Sequence, residues 1–438
     1  MGVAETFLAG LPHVRFEGPD SATPLAYRYY QPDRVVLGQT MAERFRFSIA
    51  YWHTLSWPGS DMFGPGTFAR PWQETNTIAH AEDKAALMFG LCERLGVSHY
   101  CAHDADAAPL GETLAEASAN LDHIAGVLER HQAATGIRLL WGTANLFSHP
   151  RYMAGAATNP DPAVFAYACG QVAKMMEVTQ RLGGQNYVLW GGREGYDTLL
   201  NTDIGRELDQ LGRFLSMVAE HKHKIGFTGQ LLIEPKPCEP TKHQYDYDAA
   251  AVAGFLRKYG LEGEYKLNLE VNHATLAGHT FEHELAFAAS QGLLGSVDVN
   301  RGDPQNGWDT DQFPNSLGEW VLAIHEIVRG GGLGSGGFNF DAKVRRQSID
   351  GIDLLHGHAG AIDLCARALL IVERIVTEGS FDAFRAGRYA GWNAGMGADL
   401  LGGRMTLAEA AAHAMSAPAP APRSGRQEML ENLINRLS

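Results

Sequence analysis

From Phe45 to about residue 377 the chain repeats one pattern of apolar and polar positions. A short apolar run closes on polar residues, a loop follows, and then comes a longer tract with apolar side chains at helical spacing. Short apolar runs bounded by turn residues read as buried strands, and tracts of ten or more with three- and four-residue spacing read as amphipathic helices. The runs are 45–54, 97–104, 137–145, 186–193, 229–236, 267–270, 295–300 and 336–341. The helical tracts are 81–95, 112–134, 161–182, 203–222, 247–259, 281–291, 316–329 and 350–377, the first stopping at Gly96 as a C-terminal cap. Strands alternating with helices argue for a parallel sheet covered by helices, and eight such units favour closure into a barrel. The predicted fold is therefore α/β, a (β/α)8 TIM barrel with a C-terminal helical extension. No GxGxxG follows the first strand and no P-loop is present, which counts against a nucleotide-binding open sheet.

The pattern also divides the chain. Residues 1–44 form a lead-in punctuated by Pro12, Pro24 and Pro32, 45–377 carry the (β/α)8 barrel, and 378–438 change character. The last part holds Gly-rich turns, an Ala/Pro linker over 417–426, and a terminal helix with Met429, Leu430, Leu433 and Ile434 on one stripe. So small an amphipathic helix cannot build its own core, so it is expected to pack on a neighbouring subunit.

Composition narrows the chemistry. The 438 residues carry 36 basic and 50 acidic side chains, a net charge of −14, with no basic tract, which disfavours a nucleic-acid partner. Five scattered cysteines (Cys92, Cys101, Cys169, Cys238, Cys365) show no CxxC spacing and read as reduced thiols. The N-terminus lacks a secretory pattern, its Gly2/Thr6 match to the myristoylation motif is taken as chance, and no apolar run is long enough for a membrane span. A cytoplasmic location without a membrane partner is expected.

Polar residues collect where the strands end, which in such a barrel is the functional face. The stretch Lys266–Thr275 closes on Glu270 and His273, which converge if the strand stops near Val271. The fifth run offers Glu234 and Lys236, the seventh Asp298, the eighth Asp341, and the loop after the seventh adds Asp303, Asp309 and Asp311. That many carboxylates cannot ionise together without cations, and oxygen ligands with one imidazole select hard divalent ions, Mg²⁺ or Mn²⁺ before zinc. There are more ligands than one ion needs, so two sites sharing a carboxylate are expected. The second run ends in His103 with Asp106 nearby, a pair suited to proton transfer. Trp52, Trp141 and Trp190 end three runs and Phe63 lies in the first loop, aromatics that can exclude water or stack on a sugar.

The stretches VLWGGREGYDTLLNTD, LLIEPKPCEPTKHQYDYD, LNLEVNHATLAGHTFEHE, GSVDVNRGDPQNGWDTDQFP and GGFNFDAKVRRQS resemble the xylose isomerases, the longer class with an extended N-terminal segment. The resemblance implies a homotetrameric, metal-dependent aldose–ketose isomerase that interconverts D-xylose and D-xylulose, and D-glucose and D-fructose, by ring opening and a metal-assisted 1,2-hydride shift. It implies two divalent cations per subunit, Mg²⁺ first with Mn²⁺ or Co²⁺ as alternatives. One would be held by Glu234, Glu270, Asp298 and Asp341, the other by Glu270, His273, Asp309 and Asp311. It assigns His103 with Asp106 to ring opening and Lys236 to polarising the C1 carbonyl. It places Trp52, Trp141, Thr143 and Trp190 around the pocket, with Phe63 entering a neighbour's site. Two other readings stay open on the residues alone: another metal-dependent barrel, such as a different sugar isomerase or a phosphodiesterase, and a barrel that only binds sugars.

Overall fold

The computed structural model describes residues 2–437, which divide into two compact units at Arg367/Ala368. In the first, eight parallel strands close into a barrel: β1 (Ser48–Ala50), β2 (His99–His103), β3 (Arg138–Thr143), β4 (Asn186–Trp190), β5 (Gln230–Glu234), β6 (Tyr265–Glu270), β7 (Leu294–Asp298) and β8 (Phe338–Phe340). They pair in sequence order, and β8 returns to β1 through Asn339 opposite Ser48 and Phe340 opposite Ile49. The barrel is the predicted (β/α)8 fold.

The helices follow the strands as α1 (Ile78–Leu95), α2 (Leu114–Thr135), α3 (Pro162–Arg181), α4 (Ile204–Ile225), α5 (Ala249–Tyr259), α6 (Phe281–Ser290), α7 (Leu317–Arg329) and α8 (Gly351–Glu378). Their ends are set by local chemistry. Thr77, Thr113, Asp161, Asp203 and Asp248 each accept a backbone N–H in the first turn of α1 to α5. Gly96 closes α1 at a φ of 63°, where a Cβ would be strained. Strand residues are buried on both faces, as helices outside and side chains inside require. Within the barrel, Cys101, Leu140, Trp141, Val188 and Leu232 form one buried cluster with Trp52 against it.

Two strand ends matter for the site, the first departing from the expected run and the second matching it. The strand expected over 45–54 is only Ser48–Ala50, because Phe45 ends a short helix closed by left-handed Arg46 (φ 43°). Beyond it, Trp52–Ser56 winds into a π-helical turn. Consecutive side chains of a strand point apart, so this winding lets Trp52 and His53 both reach Asp341. Likewise β6 stops at Glu270 and Val271–Leu276 coils into a short helix.

The lead-in lies against the barrel's outer layer. Its helix Val3–Ala9 and following turn are tied to α1 by the Arg94 side chain, which donates to the Leu8 and Leu11 carbonyls. The Asp363 carboxylate gathers the backbone N–H groups of Arg28, Tyr29 and Tyr30. The second unit consists of the end of α8 and short helices including Ser380–Tyr389, Leu407–Ser416 and Gln427–Leu437, none of these three with a buried residue. Among the described residues no helix is long and apolar enough to cross a membrane.

Candidate active site

At the C-terminal ends of the strands, Trp52, His53, His103, Trp141, Thr143, Phe147, Val188, Trp190, Glu234, Glu270, His273, Asp309, Asp311 and Asp341 line one cavity of about 180 Å³. That is below the ~300–1,000 Å³ of sites for drug-sized ligands, so the ligand it fits is small.

The carboxylates converge as the pattern predicts. Ligand-capable oxygens of Glu234, Glu270, Asp298 and Asp341 lie within 4.8 Å of one another, and so do those of Glu270, Asp309 and Asp311. Glu270 belongs to both groups. His273 Nε2 stands 2.9 Å from Glu270 and 3.5 Å from Asp309, because one helical turn after β6 replaces the divergence a strand would impose. Asp309 and Asp311 arrive on the loop after β7, where Asp311 sits at a φ of 42°, a costly conformation for a residue other than glycine. Asp303, by contrast, turns to its own loop and accepts from Gln305 N–H.

The electrostatics of this mouth are lopsided. Burial, with Asp298 beside it, pushes Glu234 well above the usual carboxylate range, and burial, with Asp341 and Glu270, does the same to Asp298. Burial raises Glu270 to about 8 against the opposing pull of His273. Burial would also raise Asp309, but the Lys236 ammonium at 2.6 Å holds it well below that range. Six carboxylates here face two ammonium groups, Lys236 and Lys343, the latter 2.8 Å from Asp311. His273 Nδ1 is buried with no hydrogen-bond partner among the described residues. The donor set, mostly oxygen with one imidazole, fits hard divalent ions.

Across the cavity, His103 Nδ1 is 2.7 Å from Asp106 Oδ2, so the carboxylate fixes the tautomer that leaves Nε2 as acceptor. Burial would raise Asp106, but His103 and the nearby Lys84 keep it below the usual range. The His103 ring packs edge-on against Trp52 and Phe147, at centroid distances of 4.5 and 5.5 Å. Trp52 donates to Asp341 at 2.7 Å, and Thr143 donates to the Val188 carbonyl at 2.6 Å. Trp141 and Trp190 wall the cavity with indole N–H groups that have no acceptor among the described residues. Lys236 lies 5.3 Å from the Trp190 ring centroid. Phe63 stands apart, 80% exposed and outside this chain's cavity.

Sequence reasoning passed over a second set of residues. His53 Nε2 bridges Asp311 and Asp341 at 3.0 and 2.9 Å. Asn268 donates to Glu234 and Asp298, Asn339 to Asp298, and Asn300 to Glu270 and Asp311, while Asn272 holds Asp309. A signal was available: Asn268 and Glu270, Asn339 and Asp341, and Ser296, Asp298 and Asn300 repeat at the two-residue period that puts side chains on one face of a strand. Lys343 continues the Asn339 and Asp341 spacing, whereas His53 carried no such signal, since turn geometry alone brings it in.

Known proteins share this chain nearly end to end. A protein named xylose isomerase from Pseudomonas syringae pv. syringae is 58% identical over 425 residues, covering 97% of both chains. One of that name from Rhizobium johnstonii is 56% identical over 431 residues, covering 98% of this chain and 99% of its own. The chain belongs to the xylose isomerase family. It is thus an enzyme of the isomerase class. A further relative named xylose isomerase, from Actinobacillus succinogenes, is 58% identical over 423 residues, covering 96% of this chain and 97% of its own. Residues 385–438 also match the family model described as the XylA2 C-terminal domain.

Proposed function

We propose that this family member interconverts D-xylose and D-xylulose, and D-glucose and D-fructose, by ring opening and a 1,2-hydride shift at the barrel mouth. The observation that carries the reading is six convergent carboxylates, with ligand-capable oxygens in two groups that share Glu270, opposite a carboxylate-oriented histidine in a small aromatic-walled cavity. The names of its relatives support the substrate.

Two divalent cations, Mg²⁺ or else Mn²⁺ or Co²⁺, would be held by Glu234, Glu270, Asp298 and Asp341, and by Glu270, His273, Asp309 and Asp311. Bound there, they supply Lewis-acid stabilisation of negative charge on the sugar's oxygens. The chain's own groups divide the remaining work. His103, held by Asp106, carries the proton that the anomeric hydroxyl gives up to the ring oxygen, so that the C1–O5 bond breaks as C1=O1 forms. Lys236 donates to O1 and polarises the carbonyl. Hydrogen then moves with its electron pair from C2 to C1 while the O2 hydroxyl loses a proton and O1 gains one. Trp52, Trp141, Trp190 and Thr143 wall off water, and Phe63 closes the cavity of a neighbouring subunit.

The enzyme works in the cytoplasm as a homotetramer, with residues 1–44 as lead-in, 45–377 as barrel and 378–438 as the subunit arm. Support for the arm comes from three of its helices without buried residues and from exposed Leu401, Leu407, Met415 and Met429.

The test is ketose formation from D-xylose after chelation, then with Mg²⁺, Mn²⁺ or Co²⁺ restored singly. Xylulose should return with the metal, and turnover in D₂O should leave C1 of the product free of deuterium. A folded protein that makes no xylulose with any of the three ions would defeat the proposal.

A further inference from the structure

A second cluster of metal-ligating side chains lies apart from the six carboxylates. His279, in the loop after Val271–Leu276, meets His283 and Glu284 from the first turn of α6, with ligand-capable atoms within 4.8 Å of one another. The two imidazole rings are 4.8 Å apart, and His279 Nε2 stands 3.1 Å from Asp248 Oδ2 and 4.0 Å from Glu284 Oε1.

Both carboxylates are held in place by their second oxygens. Glu284 Oε2 accepts the Ala249 N–H at 2.8 Å, and Asp248 Oδ1 accepts the Ala251 N–H at 2.7 Å, both at the start of α5. Each therefore fixes one oxygen on a helix end and turns the other toward the histidines. Glu284 is buried, His279 is partly exposed and His283 is exposed, so the group has an anchored base and an open side. Two neutral imidazoles with two carboxylates carry a charge of −2, which one divalent cation cancels.

We propose that His279, His283 and Glu284, with Asp248 beside them, form a third divalent-cation site at the edge of the barrel mouth. Its ligands are half nitrogen, whereas the carboxylate cluster is almost all oxygen. Imidazole ligands favour borderline ions, so this site takes Zn²⁺, Co²⁺ or Ni²⁺ in preference to Mg²⁺. Three protein ligands from two segments and a fourth, the Asp248 carboxylate, on a third would tie the start of α5 to the loop that follows His273.

The experiment is zinc counting on the full chain. Metal-stripped protein is dialysed to equilibrium against Zn²⁺ and its bound metal measured, for the parent, for His279→Ala/His283→Ala and for Glu270→Gln. The double variant should hold one zinc fewer per chain than the parent, and Glu270→Gln should still hold the zinc that the double variant lost. Excess Mg²⁺ during dialysis should leave that zinc in place. Equal zinc content in parent and double variant would overturn the proposal. Should circular dichroism show the double variant unfolded, His283→Ala alone, at an exposed position, decides by the same count.

Discussion

At the scale of single residues, the site works by making groups share neighbours. Glu270 stands in both carboxylate groups, accepts from Asn300 and contacts His273, so one side chain couples everything at the mouth. Glu270→Gln keeps the shape and removes the charge. It should abolish turnover and lower bound divalent metal at both proposed sites, read by metal analysis after dialysis; full activity in metal-limited buffer would refute the shared role. His103 acts on another stage. Its hydrogen bond to Asp106 orients it for ring opening, so His103→Asn should reduce turnover of cyclic substrate by about 10²–10⁴-fold. Open-chain analogues should suffer far less, and an equal loss on both would contradict a ring-opening role.

At the scale of elements, strand length and the turn after each strand decide what meets. β6 ends at Glu270 and coils at once, and β1 ends at Ala50 and winds through Trp52–Ser56. The alternation of strands and helices was legible in the chain because buried parallel strands are nearly all apolar and their helices are amphipathic. The stop of β6 near Val271 was legible as the condition for Glu270 and His273 to converge, whereas the winding of Trp52–Ser56 was not, since no residue there announces a helical turn against a strand's continuation. Helix α8 offers a prediction at this scale. His358 on α8 packs edge-on against Phe313 and Phe340, its Nδ1 donates to the Leu354 carbonyl, and burial lowers its pKa from 6.5 to about 4. The unfolded chain binds this proton below pH 6.5 while the folded chain refuses it until about pH 4. Stability is therefore present above 6.5 and lost as pH falls between those values, by up to about 3 kcal/mol. His358→Gln should lose correspondingly less stability over that window in urea unfolding at stepped pH; an unchanged slope would show that the imidazole reaches water in the folded state.

At the scale of the whole molecule, closure of the barrel assembles the carboxylates. The barrel mouth collects carboxylates from β5, β6, β7, the β7 loop and the residue after β8, and closure of the sheet is what turns a row of strand ends into a ring. An open sheet would leave Asp341 far from Glu234. The arm poses the complementary question, because its terminal helix carries apolar residues and no buried one. Truncation after Ser416 removes the linker and that helix. It should shift the sedimentation profile toward smaller species while leaving the barrel's circular dichroism intact, and an unchanged profile would exclude the tail from assembly.

Hydrophobic period, turn residues and the polar residues closing each strand determined the barrel and nearly all of the carboxylate cluster, because a strand's two-residue repeat and a helix's 3.6-residue repeat write burial directly into the chain. Only the tertiary structure decided which asparagines hold which carboxylates, that His53 and Lys343 join them, and that His279 meets both Asp248 and His283. Those meetings depend on loop paths and on the closing angle of the barrel. Such distances are set by packing between segments far apart in sequence, and no local pattern encodes them.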